Sequence, residues 1–387
     1  MAKSRKAGND ATDTVDVGEV LASTLSASLN KKFAASNQKI AFFLDGDDSP
    51  SNVTNWISTG SDILNLAISN RPDGGFPVGR IIEITGMEAS GKSLLAAHAL
   101  ADTQRQGGLA VYIDTENAAS SEFLEAIGVN LSEMLYIPLE TVEDIFEAMD
   151  EIIEVVRKSA KKRIVTIVVD SVAAATTKTE QAAGYEKDGW ATSKAIVLSK
   201  AMRKVTNFIG REQICLIFTN QLRVNLQASF GDPYTTSGGK AIQFHSSVRL
   251  RLKSTGQLKV TQNGVDSIAG IKTQCKVIKN RMGPPLRSVE YDIYFDSGID
   301  NYGSWLDFMK KYKLVAQGGA WYTYVDKETG EEIKFQSKDF KAKLIDNAAI
   351  KAAVYRDICD TYILSYKAGE DFGIDDIDVE TDFDSED

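Results

Sequence analysis

The sequence predicts an α/β protein organised around a mostly parallel sheet. Three features point there. Four segments, "RIIEITG", "LAVYIDTE", "RIVTIVVDS" and "ICLIFTNQ", are nearly unbroken apolar runs, as expected of strands buried on both faces. Helix-like stretches separate them, so successive strands are joined by crossovers of the βαβ kind. Between the first strand and its helix, "GMEASGKS" combines two glycines with small polar residues, which marks an abrupt strand-to-helix turn.

Residues 1–18 are polar and are expected to lack regular structure. Small and apolar residues from Gly18 to about Phe33 fit a helix, and "KIAFFL" reads as a short strand. "DGDDSPSN" reads as a loop. The α/β texture begins at Trp56. After the first strand, "KSLLAAHALADTQRQ" is a helix that stops at Gly107–Gly108. Two more strands, "SVRLRLKS" and "IKTQCKVIKN", follow the four apolar ones. After Asn301 come a helix, "YGSWLDFMKKYKL", a hairpin around "DKETGEE", and two further helices. The expected divisions are an N-terminal segment at 1–56, a core at 57–300, a small α/β domain at 301–368 and a tail at 369–387. No internal repeat is evident.

Several classes of protein are disfavoured. No run of 18 apolar residues offers a membrane span. "MAKSRKAGNDATDTVDV" lacks the apolar stretch of a secretory signal, and its aspartates argue against an organelle transit peptide. Cys215, Cys275 and Cys359 lie too far apart for a metal motif and read as reduced thiols in a cytoplasmic protein. The net charge of −10 is concentrated at one end. "GEDFGIDDIDVETDFDSED" holds ten acids and no lysine or arginine. Setting those ten aside leaves as many acids as the 44 basic residues. A neutral body can carry a local basic surface, so the total charge does not exclude nucleic acid.

Gly86-Met87-Glu88-Ala89-Ser90-Gly91-Lys92-Ser93 fits the G-x-x-x-x-G-K-[ST] phosphate loop. Its glycines let successive backbone N–H groups turn toward phosphates, and the following helix adds its positive N-terminal end. Lys92 is placed to reach the β- and γ-phosphates, and the Ser93 hydroxyl to ligate Mg²⁺. Asp170 ends the apolar strand "IVTIVVD", where a carboxylate can hold Mg²⁺, usually through water. Hydrolysis also requires a group to polarise the attacking water. "VYIDTEN" offers Glu116 as general base, with Asp114 the weaker candidate and a helix cap as the other use of either acid.

The order of "ISTGSDILNLAI", the phosphate loop, "YIDTEN", "VVDSVAA", "SKAMRK", "IFTNQLR", "FGDPYTTSGGKAIQFHSSVRLRL", "KVIKNRMGPP" and "GAWYTY" resembles that of bacterial RecA recombinases and their phage UvsX-type relatives. The resemblance covers roughly residues 57–325. It implies a RecA-like P-loop ATPase core, with an N-terminal helix-strand interface arm and a small C-terminal α/β domain. It further implies an ATP- and Mg²⁺-dependent protein that forms helical filaments on single-stranded DNA and exchanges strands with homologous duplex DNA. A cytoplasmic location follows, in a bacterial cell or, for a phage protein, in the infected cell. A loading mediator and a single-strand-binding protein are possible partners, and no membrane is expected.

Residue roles come with the resemblance. Glu116 matches the catalytic glutamate. Ser120 falls in the nucleotide site, and Phe123 stands where the family has a tyrosine that stacks on adenine. Gln221 matches the glutamine that senses the γ-phosphate. Lys279 and Arg281 match a lysine pair that reaches the neighbouring protomer's ATP; arginine in place of lysine keeps the charge and changes the geometry. Residues 180–194 and 222–240 match the loops that grip single-stranded DNA. Within and beside them the DNA-binding candidates are Trp190, Ser199, Arg203, Arg223, Asn225, Leu226, Ser237, Gly238, Gly239 and Lys240. Trp190 can stack on a base or anchor its loop to the core. Ser237-Gly238-Gly239 can bind phosphate through exposed N–H groups. Lys253 and Lys276, with Arg249 and Arg251, form either a second DNA site or the polar outer face of an edge strand. His98 and His245 read as structural. The acidic tail is either a solubilising segment or a tethered polyanion that competes with DNA. Two rival readings use the same core: a ring-forming motor ATPase such as a helicase, and a non-enzymatic DNA-binding mediator with ATP as a structural ligand.

Overall fold

The computed structural model describes residues 17–33, 39–44, 49, 51–159, 163–183, 190–224, 234–262 and 265–366. The chain divides into two units, Met1–Asn52 and Val53–Asp387. In the first, helix α1 (Val17–Lys32) exposes Leu21, Leu25 and Leu29. The expected strand "KIAFFL" is not one. The Asn30 side chain occupies the hydrogen bonds a strand partner would take: its Oδ1 accepts from the amides of Ile40 and Ala41, and its Nδ2 donates to the Ala41 carbonyl at 3.1 Å.

The second unit begins with a short ladder of β1 (Trp56–Ile57) and β2 (Phe76–Pro77), flanking α2 (Asp62–Ser69). The alternating region follows: β3 (Ile81–Gly86), α3 (Lys92–Arg105), β4 (Leu109–Asp114), α4 (Ser121–Ile127), β5 (Met134–Pro138), α5 (Val142–Lys158), β6 (Val165–Asp170), α6 (Lys178–Gln181), α7 (Trp190–Ile209) and β7 (Ile214–Val224). Next come β8 (Tyr234–Thr236), α8 (Ala241–His245), β9 (Val248–Gln262), β10 (Val265–Asn280), β11 (Ser288–Tyr294) and β12 (Gly298–Ile299). The chain continues with α9 (Asn301–Lys311), a meander of β13 (Val315–Gly318), β14 (Trp321–Val325) and β15 (Glu332–Gln336), and α10 (Ala348–Tyr362).

The main sheet runs β12-β11-β10-β9-β3-β7-β6-β4-β5. From β9 to β5 neighbouring strands are parallel; β10, β11 and β12 extend the sheet antiparallel. The four apolar runs are the interior strands β3, β7, β6 and β4, covered on both faces. One face carries α5 and α7, whose buried Val142, Ile145, Phe146, Met149 and Ile153, and Leu198, Met202, Val205 and Ile209, recur at helical spacing. On the other lies α3, whose buried alanines let it approach the sheet closely. Trp305, Phe308 and Phe335 belong to the same continuous core, so the C-terminal helices and meander pack within the second unit. Strand β9 sits between β3 and β10 and is no edge strand, which removes the edge-strand reading of its basic face. Among the described residues, no helix is long and apolar enough to cross a membrane.

Candidate nucleotide site and DNA-facing surface

Parallel strands deliver their carboxyl ends to one edge of the sheet, and register decides which residues meet there. Gly86 at the end of β3 lies opposite Gln221 on β7. Asp114 at the end of β4 lies opposite Asp170 on β6. The phosphate loop leaves β3 at Gly86, a member of the first pair. Gly91 has φ of 93°, and a side chain on Gly86 would drive its Cβ to 2.4 Å from Ser90 Oγ and 2.8 Å from the Leu252 carbonyl. The turn therefore needs glycine at both ends. Lys92 Nζ donates to the Met87 carbonyl at 2.7 Å, and Ser90 Oγ to the same oxygen at 2.8 Å. Burial holds the Lys92 ammonium below its ordinary pKa, while Asp170, Glu116 and Glu88 act the other way.

Ser93, Glu116, Asp170, Ser120 and Phe123 line a single cavity of about 350 Å³, with Tyr112, Asp114, Ala118, Ala119 and Leu124. The two acids of "YIDTEN" are held differently. Asp114 is buried. Its Oδ1 accepts from the Glu116 amide at 2.9 Å, and its Oδ2 from the amides of Ala118 and Ala119 and from Tyr136 Oη, each at 3.0 Å. It organises the turn that presents Glu116. Glu116 is exposed, and its carboxylate accepts one described side-chain bond, from Ser171 Oγ at 2.6 Å. Asp170 accepts from Tyr112 Oη at 2.8 Å and from Thr219 Oγ1. Sequence reasoning missed Tyr112, Ser171, Thr219 and Tyr136. Tyr112, Ser171 and Thr219 lie on, or next to, strands it did identify; Tyr136 lies on β5, a strand it also missed.

The Mg²⁺ donors expected from sequence fit that ion. Ser93 and Asp170 offer a hydroxyl and a carboxylate on one cavity wall, a hard-oxygen set suited to an ion that keeps waters and phosphate oxygens as its other ligands. Among the described residues, no cluster of three or more His, Cys, Asp or Glu forms a separate metal cage.

Lys279 and Arg281 are not among the residues lining this cavity. Lys279 Nζ donates to the carbonyls of Gln243 at 2.7 Å and Phe244 at 3.1 Å, at the C-terminal end of α8. Its pKa is lowered by burial, then by Arg281 and Arg249. His245 binds Thr206 through Nδ1 at 2.9 Å, and His98 Nε2 accepts the Ile299 amide at 3.2 Å, so both histidines have structural partners. Burial pushes the His98 pKa down to about 4.

The DNA candidates separate into three groups. Trp190, with Ser199 and Arg203, belongs to α7; residues 178–181 and 190–194 are helical, so the first expected loop is shorter than its sequence suggests, and 184–189 lie outside the described residues. The buried apolar positions of α7, Leu198, Met202, Val205 and Ile209, run from its middle to its C-terminal end. In the second stretch, β8 pairs with the extended end of β7, placing Arg223 opposite Thr235; Ser237, Gly238, Gly239 and Lys240 form the turn before α8. Gly238 and Gly239 both have positive φ. Asn225 and Leu226 lie outside the described residues, as does the tail at 369–387. The third group forms a stripe. Arg251 pairs with Lys276, and Lys253 with Gln274, on the sheet face opposite the buried Leu250 and Leu252. The Arg251 guanidinium lies 5.3 Å from the Tyr234 ring, joining this stripe to β8.

Residues 21–300 match the model of the RecA N-terminal domain family. Several curated relatives match most of the chain. It is 38% identical over 332 residues to Protein RecA of Cereibacter sphaeroides strain ATCC 17023, covering 86% of this chain and 92% of that protein. It is 39% identical over 286 residues to Protein RecA of Paracoccus denitrificans, covering 74% and 76%. With Protein RecA of Borrelia hermsii strain HS1 it shares 40% over 275 residues, 71% and 74% of the two chains. The mostly parallel sheet, the phosphate loop and these similarities agree: the chain belongs to the RecA family, the filament-forming, DNA-dependent ATPases of homologous recombination and strand exchange.

Proposed function

We propose how the residues of this recombinase divide the work. The observation that carries the reading is the single cavity lined by Ser93, Glu116, Asp170, Ser120 and Phe123, directly after the phosphate loop. Gly86 to Gly91 and Lys92 bind the nucleotide phosphates, and Phe123 and Ser120 border the base. Ser93 and Asp170 hold Mg²⁺, which supplies charge neutralisation on the phosphates when bound. Glu116 accepts the proton of the attacking water, oriented by Ser171. Gln221, beside Gly86, responds to the γ-phosphate. Lys279 and Arg281 serve the nucleotide of a neighbouring protomer. Arg203, Arg223, Ser199 and the turn Ser237–Lys240 contact the single strand, with Trp190, Asn225 and Leu226 contributing from the two loops. Lys253, Lys276 and Arg251 receive duplex DNA.

The remaining assignments follow the same division. Residues 1–56 form the protomer-interface segment, 57–300 the ATPase and DNA-binding core, and 301–368 the small C-terminal domain. The protein works in the cytoplasm, alongside a loading mediator and a single-strand-binding protein. The tail at 369–387 competes with duplex DNA for basic surface. As a tethered polyanion it acts at an effective concentration of order mM, and its pull fades with salt. Its deletion is expected to tighten duplex binding most at low salt; unchanged low-salt affinity would leave it a solubilising segment.

The trans role has a direct test. Lys279→Ala and Lys92→Ala proteins should each lack DNA-stimulated ATP hydrolysis. Mixed on one DNA strand, they should recover part of it at interfaces that pair an intact phosphate loop with intact cations. No recovery in filaments verified as mixed would place Lys279 outside the neighbour's reaction.

A further inference from the structure

Glu83 is a fully buried carboxylate in the middle of β3, on the sheet face that α7 and α8 cover. A buried charge is costly unless it is paired and hydrogen-bonded. Its partners lie on two different strands. Oε2 accepts from Arg249 Nε on β9, directly opposite in register. Oε1 accepts from Asn220 Nδ2 on β7 at 3.2 Å. The same Asn220 amide nitrogen donates to the Ser237 carbonyl at 3.1 Å, at the start of the glycine turn, while its buried Oδ1 has no hydrogen-bond partner among the described residues. Arg249 in turn stands opposite Lys279 in the β9–β10 ladder. The network therefore touches the strand of the phosphate loop, the strand of Gln221, the turn expected to meet DNA, and the cations expected to meet a neighbour's nucleotide.

We propose that Glu83 is a positioning residue for DNA-dependent hydrolysis, anchoring through Arg249 the cations offered to the neighbouring nucleotide and through Asn220 the turn that contacts single-stranded DNA. This rests on the trans role of Lys279 and on the DNA role of Ser237–Lys240. A neutral core pair could brace the same strands; a charge here does something further. Lys279 lies among Arg249 on β9, Arg281 beyond β10, and His245 on α8, with Arg203 of α7 also acting on His245. Glu83 is the carboxylate that counters this positive field at Lys279. It favours the charged ammonium, against burial and the neighbouring cations, while Arg249 stands opposite Lys279 across the β9–β10 ladder.

Glu83→Gln should lower DNA-stimulated kcat about tenfold, the scale of one charge-assisted hydrogen bond, with little change in KM for ATP. It should also move the alkaline limb of the pH profile to lower pH. The sign follows because losing the carboxylate lets Lys279 give up its proton at a lower pH. If the unpaired Arg249 prevents folding, Glu83→Gln with Arg249→Gln leaves no buried charge alone. That pair should lose turnover with the limb nearly in place, since a countering and an opposing charge leave together. Asn220→Ala keeps both charges and should reduce stimulation by DNA without moving the limb. Full DNA-stimulated turnover with an unaltered pH profile in any two folded variants of this set would overturn the proposal. Lys279→Ala separates the two levels: if it retains DNA-stimulated turnover the trans reading itself fails, whereas its loss beside unaffected Glu83 variants refutes this inference alone.

Discussion

The nucleotide cleft and the basic end of the sheet are built in opposite ways. In the cleft, the two candidate carboxylates each have a hydroxyl partner from their own chain: Ser171 for Glu116, and Tyr112 with Thr219 for Asp170. At the basic end, Lys279 is turned onto the main-chain carbonyls of Gln243 and Phe244 on α8. On the proposed trans role, the cleft is built from one chain while the basic end serves a second copy. The difference then teaches that binding and turnover are separable: under that proposal a protomer holds nucleotide alone, and the charges that complete the reaction arrive by assembly, as in other phosphoryl-transfer sites supplied in trans.

The largest expected effect lies in the cleft. Glu116→Gln should lower turnover by about 10²–10⁴ while ATP binding and filament formation persist, because the amide keeps shape but cannot take the water's proton. Asp114→Asn should act differently. It weakens the acceptor of four hydrogen bonds, so the melting temperature should fall. Near-normal turnover in Glu116→Gln, with a collapse in a well-folded Asp114→Asn, would exchange their roles.

A smaller effect is expected one step back. Ser171→Ala removes the one described side-chain donor to Glu116, and should reduce kcat about tenfold with ATP affinity retained. Steady-state kinetics on saturating single-stranded DNA would decide it. A kcat equal to the parent protein's would mean that Glu116 finds its position without that hydroxyl.

The smallest effect concerns a buried lysine near the start of α7. Lys194 is buried, donates to the Ala173 carbonyl at 3.1 Å, and has its pKa pushed down to about 8, chiefly by burial and then by Arg223, against the pull of Glu180. Between that value and the ordinary lysine range, the unfolded chain binds the proton more readily than the folded one. The Lys194 contribution to stability therefore rises with pH across that window. Lys194→Met should lack this rise, seen by comparing melting temperatures at about pH 7.5 and 9.5. Parallel pH dependence in the two proteins would show that Lys194 titrates as an exposed lysine does.

Much of this arrangement was legible in the chain. The apolar runs ending at Gly86, Asp114 and Asp170 identified three strands and the edge at which their functional residues meet, because burial on both faces forces continuous apolarity. Strand β11 was missed although its buried Val289, Tyr291 and Ile293 alternate with more exposed residues; seven residues carry too little pattern to stand out beside a turn rich in proline and glycine. Strand β5 was missed because it lies at the sheet edge, with Leu135 and Tyr136 exposed. "KIAFFL" failed for another reason. Local composition favours a strand, but a ladder needs a partner, and a side chain from α1 supplies its hydrogen bonds instead. The supporting hydroxyls of Tyr112, Thr219 and Ser171 could not be read from spacing, since only the register of neighbouring strands brings them to the acids they serve.

The hold on Lys279 runs through the main-chain oxygens of residues 243 and 244, not through their side chains. Phe244, exposed over 68% of its surface, is therefore free to change without disturbing where the cation rests. A substitution at Phe244 changes the exposed surface of this five-residue helix while leaving in place the two oxygens that hold Lys279.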